Sequence, residues 1–322
     1  MKLQKKQASC IFYVIAFGKS DLVSRCLDSL SRVVSKSNIV LIDNASVESL
    51  SVVAKKYQIR LIRLKQNKGY AGGCNAAVED FLHSSADYIC VMNSDVFVTK
   101  GFVSELQTCF DSVDNDASIA IFQPELYFDA EYQRVENTGI LYYKSGLAFQ
   151  ANHQSAYQCV NGACMFLRRS AIEYLKRIDG FVFEELYWSY AEDVELSLRL
   201  QSRGWKTVVF SSLQAVHLQS ASFGKRSARS LWYYARNLLW TLLLTRTTSE
   251  LIISLPLILL GQIRIIFEFI LHGRPDYYFS LLYETYRNRD TLRLKRRHWK
   301  TNQMIELAHT YQFGAFPLWR LQ

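Results

Sequence analysis

The apolar run Tyr88 to Met92 breaks directly into Asn93-Ser94-Asp95. It is long enough for one buried strand, which leaves the Asp95 carboxylate at a strand end. In an open α/β sheet, ligands bind beyond the carboxyl ends of the strands, so Asp95 points into a pocket rather than the core. A hard cation such as Mg2+ is held by one or two carboxylates together with substrate phosphates, and a strand-end Asp suits that role when a diphosphate comes with the metal. The same residues also serve as ordinary turn formers. His217, closing the run Ala215-Val-His217, is a candidate partner for Asp95, because histidine is a common metal ligand. Glu192-Asp193 opens a helical stretch with Leu196, Leu200 and Trp205 at core spacing, just after an aromatic-rich segment that includes Tyr187, Trp188 and Tyr190. The helix dipole favours acids there by about 0.3 to 1 kcal/mol, but a cap needs no large aromatics beside it.

These residues need elements to position them. Ile11 to Ile15, the helical spacing from Leu22 to Leu30, and Ile39 to Ile42 ending in Asp43-Asn44 form a βαβ signature. A helix over Val47 to Tyr57 and a third strand over Arg60 to Leu64 follow. Asn67 to Asn75 reads as a Gly-rich loop leading into a helix from Ala76 to Leu82, where backbone amides can approach a phosphate or sugar. Its spacing matches neither the dinucleotide fingerprint nor the P-loop. Beyond the central strand come strand-like Ile119 to Phe122, a turn-rich region from Pro124 to Gln158, and Val160 to Leu167, whose Gly162 lets the chain pass close to a ligand or a packed neighbour. A helix from Ser170 and a strand pair, Val208 to Phe210 and Ala215 to His217, complete the pattern.

Composition sets bounds. With 322 residues and 49% hydrophobic content, the chain can form one large α/β domain with an appendage, or two domains. Seven scattered cysteines without a CxxC pair argue against a disulfide framework or structural zinc, and fit a reducing compartment. No small-residue cleavage site follows the apolar run Cys10 to Phe17, which suits a first buried strand in a cytoplasmic protein. Residues 1–222 hold 23 basic and 23 acidic side chains, whereas 223–322 hold 15 and 6, so the whole excess of +9 lies in the last third. There the charge is interleaved with apolar runs, Leu231 to Leu244 and Leu251 to Leu271, which suits an anionic membrane surface better than nucleic acid. Pro256, Gln262, Arg264 and Glu268 interrupt the second run, arguing against a span and for an interfacial helix or one packed on the body of the protein. Arg287, Arg289, Arg293, Lys295, Arg296, Arg297 and Lys300 make a basic run able to meet lipid phosphates.

Taken together these motifs resemble the family 2 glycosyltransferases of the GT-A fold, particularly the rhamnosyltransferase-like enzymes of bacterial surface polysaccharide assembly. Ile42-Asp-Asn-Ala-Ser46 is similar to the family's VDNAS, Asn67 to Asn75 to its NxGfaggxN, and Asn93-Ser94-Asp95 to the NPD form of its DxD motif. Gly162 matches GaxmxxRR and Glu192-Asp193 matches YxEDxDlxxR; His217 and Arg236-Asn237 also match. The resemblance covers roughly residues 10–240. It implies a Rossmann-like mixed α/β sheet with flanking helices as a catalytic domain over 1–222; beyond the resemblance, the charge and apolar runs of 223–322 mark a helical, membrane-associated region. It further implies that Asp43, Asn44, Ala16 and Phe17 line a nucleoside pocket, and that Gly69, Gly72, Asn75, Asn93, Ser94 and Gly162 contact the donor. Asp95 and His217 would hold Mg2+ or Mn2+ on the donor diphosphate, Asp193 beside Glu192 would be the catalytic base, and Tyr187 and Trp188 would meet the acceptor. The implied reaction is inverting transfer from a dTDP- or UDP-sugar to a saccharide, lipid-linked at the inner face of the plasma membrane. Asn93 in place of the first DxD carboxylate leaves the metal one ligand fewer, while Glu195 in place of the second Asp of EDxD leaves the base intact. A sugar nucleotidyltransferase would show a Gly-rich, Arg-containing loop after the first strand, where Ala16-Phe-Gly-Lys-Ser20 stands. A non-catalytic nucleotide-sugar-binding or membrane scaffold is the other alternative, and the joint presence of Asp43, Asp95, Asp193 and His217 speaks against it.

Overall fold

The computed structural model describes residues 8–18, 20–151, 159–218 and 227–303. The expected domain boundary at 222 lies outside them. Strand β1 (Cys10–Ala16), helix α1 (Ser20–Ser31), β2 (Ile39–Asp43), α2 (Ser51–Tyr57), β3 (Arg60–Arg63), α3 (Gly69–Leu82) and β4 (Tyr88–Asn93) form the parallel half. Then follow β5 (Val96–Phe97), α4 (Phe102–Asn115), β6 (Ile119–Tyr127), β7 (Val135–Asn137), and a hairpin of β8 (Ile140–Tyr142) and β9 (Ala148–Gln150). β10 (Cys164–Arg168), α5 (Arg169–Asp179), α6 (Glu192–Gln201) and β11 (Lys206–His217) complete the sheet and its cover. Five helices end the described chain: α7 (Ala228–Thr245), α8 (Thr248–Ile253), α9 (Leu255–Leu271), α10 (Asp276–Arg287) and α11 (Arg289–Thr301).

Among the described residues the sheet order is β3-β2-β1-β4-β10-β6-β11-β5, with β7 on β6. β1 runs parallel to β2 and β4, whereas β10 is antiparallel to both β4 and β6, so the sheet is mixed. Alternation along the strands sorts side chains to two faces. Phe12, Val14, Cys90 and Met92 pack with α1, α2 and α4; Tyr13, Ile15, Ile89 and Val91 pack with α3, α5 and α6. The two-residue period of β1 and β4 thus builds both layers, and it leaves their carboxyl ends at one edge.

Several sequence expectations change. Helix α2 begins at Ser51, not Val47, because the chain before it wraps the Asp43 carboxylate, which accepts from the Ser46 and Leu50 amides. The expected Gly-rich loop is instead the first turns of α3, which starts at Gly69. A Cβ on Gly69 would stand 2.0 Å from the Trp188 carbonyl oxygen, and its φ is +70°, so close packing and a left-handed backbone both require glycine there. The turn-rich region contains β7, β8 and β9. The expected strand pair is one strand, β11, with a register shift between Phe210 and Gln214. Helix α6 is not amphipathic but buried along Glu192 to Leu200, and part of its charge is paired there: Glu195 with Arg199 at 2.9 Å, and Arg199 with Asp179 at 2.7 Å.

The C-terminal region is corrected most. Leu231 to Leu244 is no membrane face: Leu238, Trp240 and Leu244 of α7 share a core with Val194 and Leu198 of α6 and with Leu292 and Trp299 of α11. The run Leu251 to Leu271 divides at Ser254, two residues before Pro256, as expected where proline enters a first helical turn. Gly261 of α9 faces the Ser145 carbonyl and Leu147, so the small and polar stripe is the seated face. The basic run is divided too. Lys295 reaches Glu184 at 2.6 Å, Arg296 donates to the Arg246 carbonyl at 2.8 Å, and His298 meets Asp179 at 2.8 Å, all inward, while Arg293 and Arg297 stay exposed. No helix among the described residues is long and apolar enough to cross a membrane.

Candidate active site

Asp95 lies in the turn between β4 and β5, and β5 pairs antiparallel with the end of β11, opposing Val96 to His217. The Leu218 amide donates to the Asp95 carbonyl at 3.1 Å, closing the junction. This ladder brings the two expected metal ligands together, with His217 Nε2 3.5 Å from Asp95 Oδ1. On the other side of the ring, His217 Nδ1 lies 2.9 and 3.0 Å from the two oxygens of Glu136 on β7. An ionised carboxylate only accepts, so Nδ1 carries the proton it donates. Burial pulls the His217 pKa down, but Asp95 and Glu136 override it and push it up to about 10. A carboxylate behind a histidine, fixing the ring so that Nε2 faces a second carboxylate, is the outer-shell pattern of metal-binding histidines. A divalent cation would take the place of the proton that this raised pKa keeps on Nε2, and with that proton gone Asp95 and His217 make a donor pair for it. Among the described residues no group of three or more His, Cys, Asp or Glu side chains could hold a metal by itself, so coordination would be completed by phosphate oxygens.

Asp193 sits at the N-terminus of α6, buried, and accepts from the Gly162 amide at 2.6 Å and the Val194 amide at 2.8 Å. The segment Asn161 to Ala163 joins the two halves of the site: Gly162 binds Asp193, and the next carbonyl, Ala163, accepts from the Asn93 amide at 2.8 Å. Burial raises the Asp193 pKa and the amides oppose it. Burial and the Asp193 charge push Glu192 well above the carboxylate range, and its Oε2 is buried without a hydrogen-bond partner. Two amide donors favour the charged form of Asp193, and Glu192 Oε2 has none, so of the two carboxyls Asp193 is the better placed to take a proton.

The backbone leading to this pair is strained: Trp188, Tyr190 and Ala191 have φ of +62°, +71° and +60°. Such residues cost about 1 to 3 kcal/mol each and need outside support. Helix α7 gives it. Asn237 Nδ2 donates to the carbonyls of Tyr187, Ser189 and Tyr190 at 2.9, 2.8 and 2.6 Å. Arg236 donates to the Tyr187 carbonyl at 3.0 Å and to Asn237 Oδ1 at 2.8 Å. The motif match had pointed to Arg236-Asn237 but not to this work.

Other expected contacts are placed elsewhere. Asp43 is fully buried, its oxygens held by the Ser46 and Leu50 amides and by Arg63 at 3.3 Å, so it shapes the loop instead of meeting a base. Asn44 is buried and donates to Gly69 O at 2.8 Å; Asn75 donates to Phe183 O at 2.8 Å and accepts from its amide at 2.9 Å. Both pin α3 to its neighbours. Gly72 packs on Lys68, and Gly162 lies against Asp193. Tyr187 is wholly buried with its hydroxyl 2.7 Å from Thr241, which removes it from the acceptor, whereas Trp188 is half-buried and stacks on Tyr233 at 4.9 Å. Ala16 is buried and accepts from the Asn44 amide; Phe17, exposed, and half-buried Asn93 and Ser94 line the strand edge. Glu136 was missed, since it lies in a stretch without hydrophobic periodicity.

The mixed sheet, with its cation-capable pair and buried carboxylate at the strand ends, defines a GT-A glycosyltransferase fold. The chain belongs to glycosyl transferase family 2, whose model matches residues 12–175. It is 26% identical over 206 residues to the UDP-forming cellulose synthase catalytic subunit of Xanthomonas axonopodis, covering 61% of this chain and 26% of that protein. It is 36% identical over 72 residues to the N-acetylglucosaminyl-diphospho-decaprenol L-rhamnosyltransferase of Mycobacterium tuberculosis, covering 22% of each. The matches thus span about a quarter of these relatives' lengths. Among solved structures, a mannosyltransferase of Pyrobaculum calidifontis in complex with GDP-Man and Mn2+ aligns with TM-score 0.54 and 13% identity over 93% of this chain and 85% of its own. GalNAc-T7 with UDP, GalNAc and Mn2+ aligns with TM-score 0.56 and 12% identity over 73% of this chain and 48% of its own.

Proposed function

We propose that the chain is an inverting, metal-dependent glycosyltransferase. It moves a sugar from a dTDP- or UDP-linked donor to a saccharide acceptor carried on a polyprenyl diphosphate, in cell-surface polysaccharide (O-antigen or capsule) synthesis at the cytoplasmic face of the plasma membrane. The observation that carries this reading is the meeting, across Asn161 to Ala163, of the Asp95 and His217 pair with the amide-held carboxylate of Asp193. Mg2+ or Mn2+ held by Asp95 and His217 would neutralise charge on the departing diphosphate. Asp193 accepts the proton of the acceptor hydroxyl while that oxygen bonds to the anomeric carbon. The bond from this carbon to the diphosphate breaks, and the nucleoside diphosphate leaves with the electron pair. One displacement inverts the anomeric centre. The rhamnosyltransferase relative's name, with its polyprenyl-linked substrate, supports the acceptor class. Thermal stabilisation by a panel of nucleotide sugars, with and without Mn2+, tests the reading: a metal-dependent shift by one nucleotide class is expected, and no shift with any donor would contradict it.

A further inference from the structure

The fold leaves one apolar ridge on its outside. Ile253 of α8 is 79% exposed, Ile263 and Phe267 of α9 are 61% and 52% exposed, and Phe279 and Tyr283 of α10 are 72% and 65% exposed. The charged side chains of α9 do not break this ridge. Arg264 pairs with Glu268 at 3.8 Å and its guanidinium lies 5.0 Å over the Phe149 ring, on the seated side. α9 therefore has one face bound to the protein through Gly261, Ile265 and Phe269, and an opposite face with only apolar groups toward solvent. A soluble monomer rarely exposes a contiguous patch of this kind without a use for it.

We propose that this ridge docks on an anionic bilayer, with α8, α9 and α10 lying in the plane of the headgroups. Charge selects that occupant. The last 100 residues carry 15 basic and 6 acidic side chains, the chain's entire net charge. With Lys295 and Arg296 turned inward, the outward cations of α10 and α11 are Arg287, Arg289, Arg293, Arg297 and Lys300, of which Arg289 and Arg293 share Asp290, on the elements that directly continue the ridge. Arg289 lies 4.4 Å over the exposed ring of Tyr286, so a cation and an amphipathic aromatic share one surface. An apolar strip followed by tyrosines and arginines matches the depth profile of a headgroup layer, with apolar groups below and cations at the phosphates. The described helices are too short or too polar to cross. The inference rests on the proposed lipid-linked acceptor for its purpose only, and vesicle binding without donor or acceptor separates its failure from failure of that reading.

The experiment is flotation of the full chain with vesicles of phosphatidylcholine alone or mixed with phosphatidylglycerol. The wild type is expected to float with the anionic vesicles and to be weakened by salt. Ile263→Asp with Phe267→Asp, at exposed positions and checked for an unchanged melting curve, is expected to lose binding by about tenfold or more. Arg287→Gln, Arg289→Gln, Arg293→Gln and Arg297→Gln together are expected to remove the preference for anionic lipid. Wild type that stays with the soluble fraction overturns the proposal, as does a folded ridge variant that floats like wild type. Conversion of a dimer to a monomer by the ridge variant, with flotation unchanged, would also overturn it, by assigning the ridge to a second copy.

Discussion

Glu192 and Asp193 are adjacent carboxylates in one buried place, and their hydrogen bonds divide the work. Two amides hold Asp193, whereas Glu192 Oε2 has no partner; burial raises both pKa values, and the amides favour the charged form at Asp193 rather than at Glu192. Glu192→Gln copies the protonated acid and is expected to keep most activity in a transfer assay; a loss as deep as that of Asp193→Asn would make Glu192 the base. The sign for stability follows. Because the folded pKa of Glu192 is raised, the unfolded chain ionises first, so its contribution falls as pH rises above the ordinary value of 4.5. Relative to wild type, Glu192→Gln should therefore gain stability with rising pH, read by urea melts. Asp95→Ala and His217→Ala should each weaken Mn2+-dependent nucleotide binding, non-additively because they share one ion, and Glu136→Gln by about 10 to 100-fold. Additive losses in calorimetry would remove the shared site. Asp95, Asp193 and His217 were legible because each closes or opens an element. Glu136 was not, since its place depends on β7 lying beside β6. Asp43, Asn44 and Asn75 were read as donor contacts because a sequence shows polar residues at strand ends but not the amides and carbonyls that satisfy them.

Helix α7 acts on the site through backbone carbonyls. Asn237→Ala removes an amide whose two N–H groups are shared among three carbonyls of a segment with three left-handed residues, and should cost about 1 to 3 kcal/mol of stability. A displaced Asp193 would also lower kcat, by about 100-fold for a shift near 1 Å, with donor KM little changed. Steady-state kinetics beside thermal melts would check this; an unchanged kcat in a destabilised variant would reduce Asn237 to a structural part. The Leu231 to Leu244 pattern did announce a helix, but periodicity cannot say whether an apolar helix seats on lipid or on protein. The same ambiguity hid the start of α3, where glycines that suggest a loop serve close packing against Trp188.

The whole molecule is joined by a buried ionic hub. Asp179 at the end of α5 meets Arg199 of α6 at 2.7 Å, Arg203 at 2.6 Å and His298 of α11 at 2.8 Å. Burial would raise the Asp179 pKa, yet the two arginines hold it below the usual carboxylate range. Its contribution to stability is thus present above about pH 4 and lost as pH falls through the folded pKa. Asp179→Asn leaves buried Arg203 without its carboxylate and Arg199 with Glu195 alone, and should cost about 3 to 5 kcal/mol, measured by denaturant melts near neutral pH. A cost that persists unchanged at low pH would contradict the ionic origin. The sequence showed a neutral part and a basic part; it did not show that the basic part braces the neutral one, because the contacts run from α11 back to α5 and α6 across more than a hundred residues.

Asp193 is proposed as the base of a glycosyl transfer whose donor is held at Asp95 and His217. Turnover of the bound nucleotide sugar by Asp193→Asn, with donor affinity determined in the same sample, tests this role. Transfer is expected to fall by about 100 to 10,000-fold with metal-dependent donor affinity close to wild type. Transfer at the wild-type rate, or loss of donor affinity in proportion to activity, would contradict it.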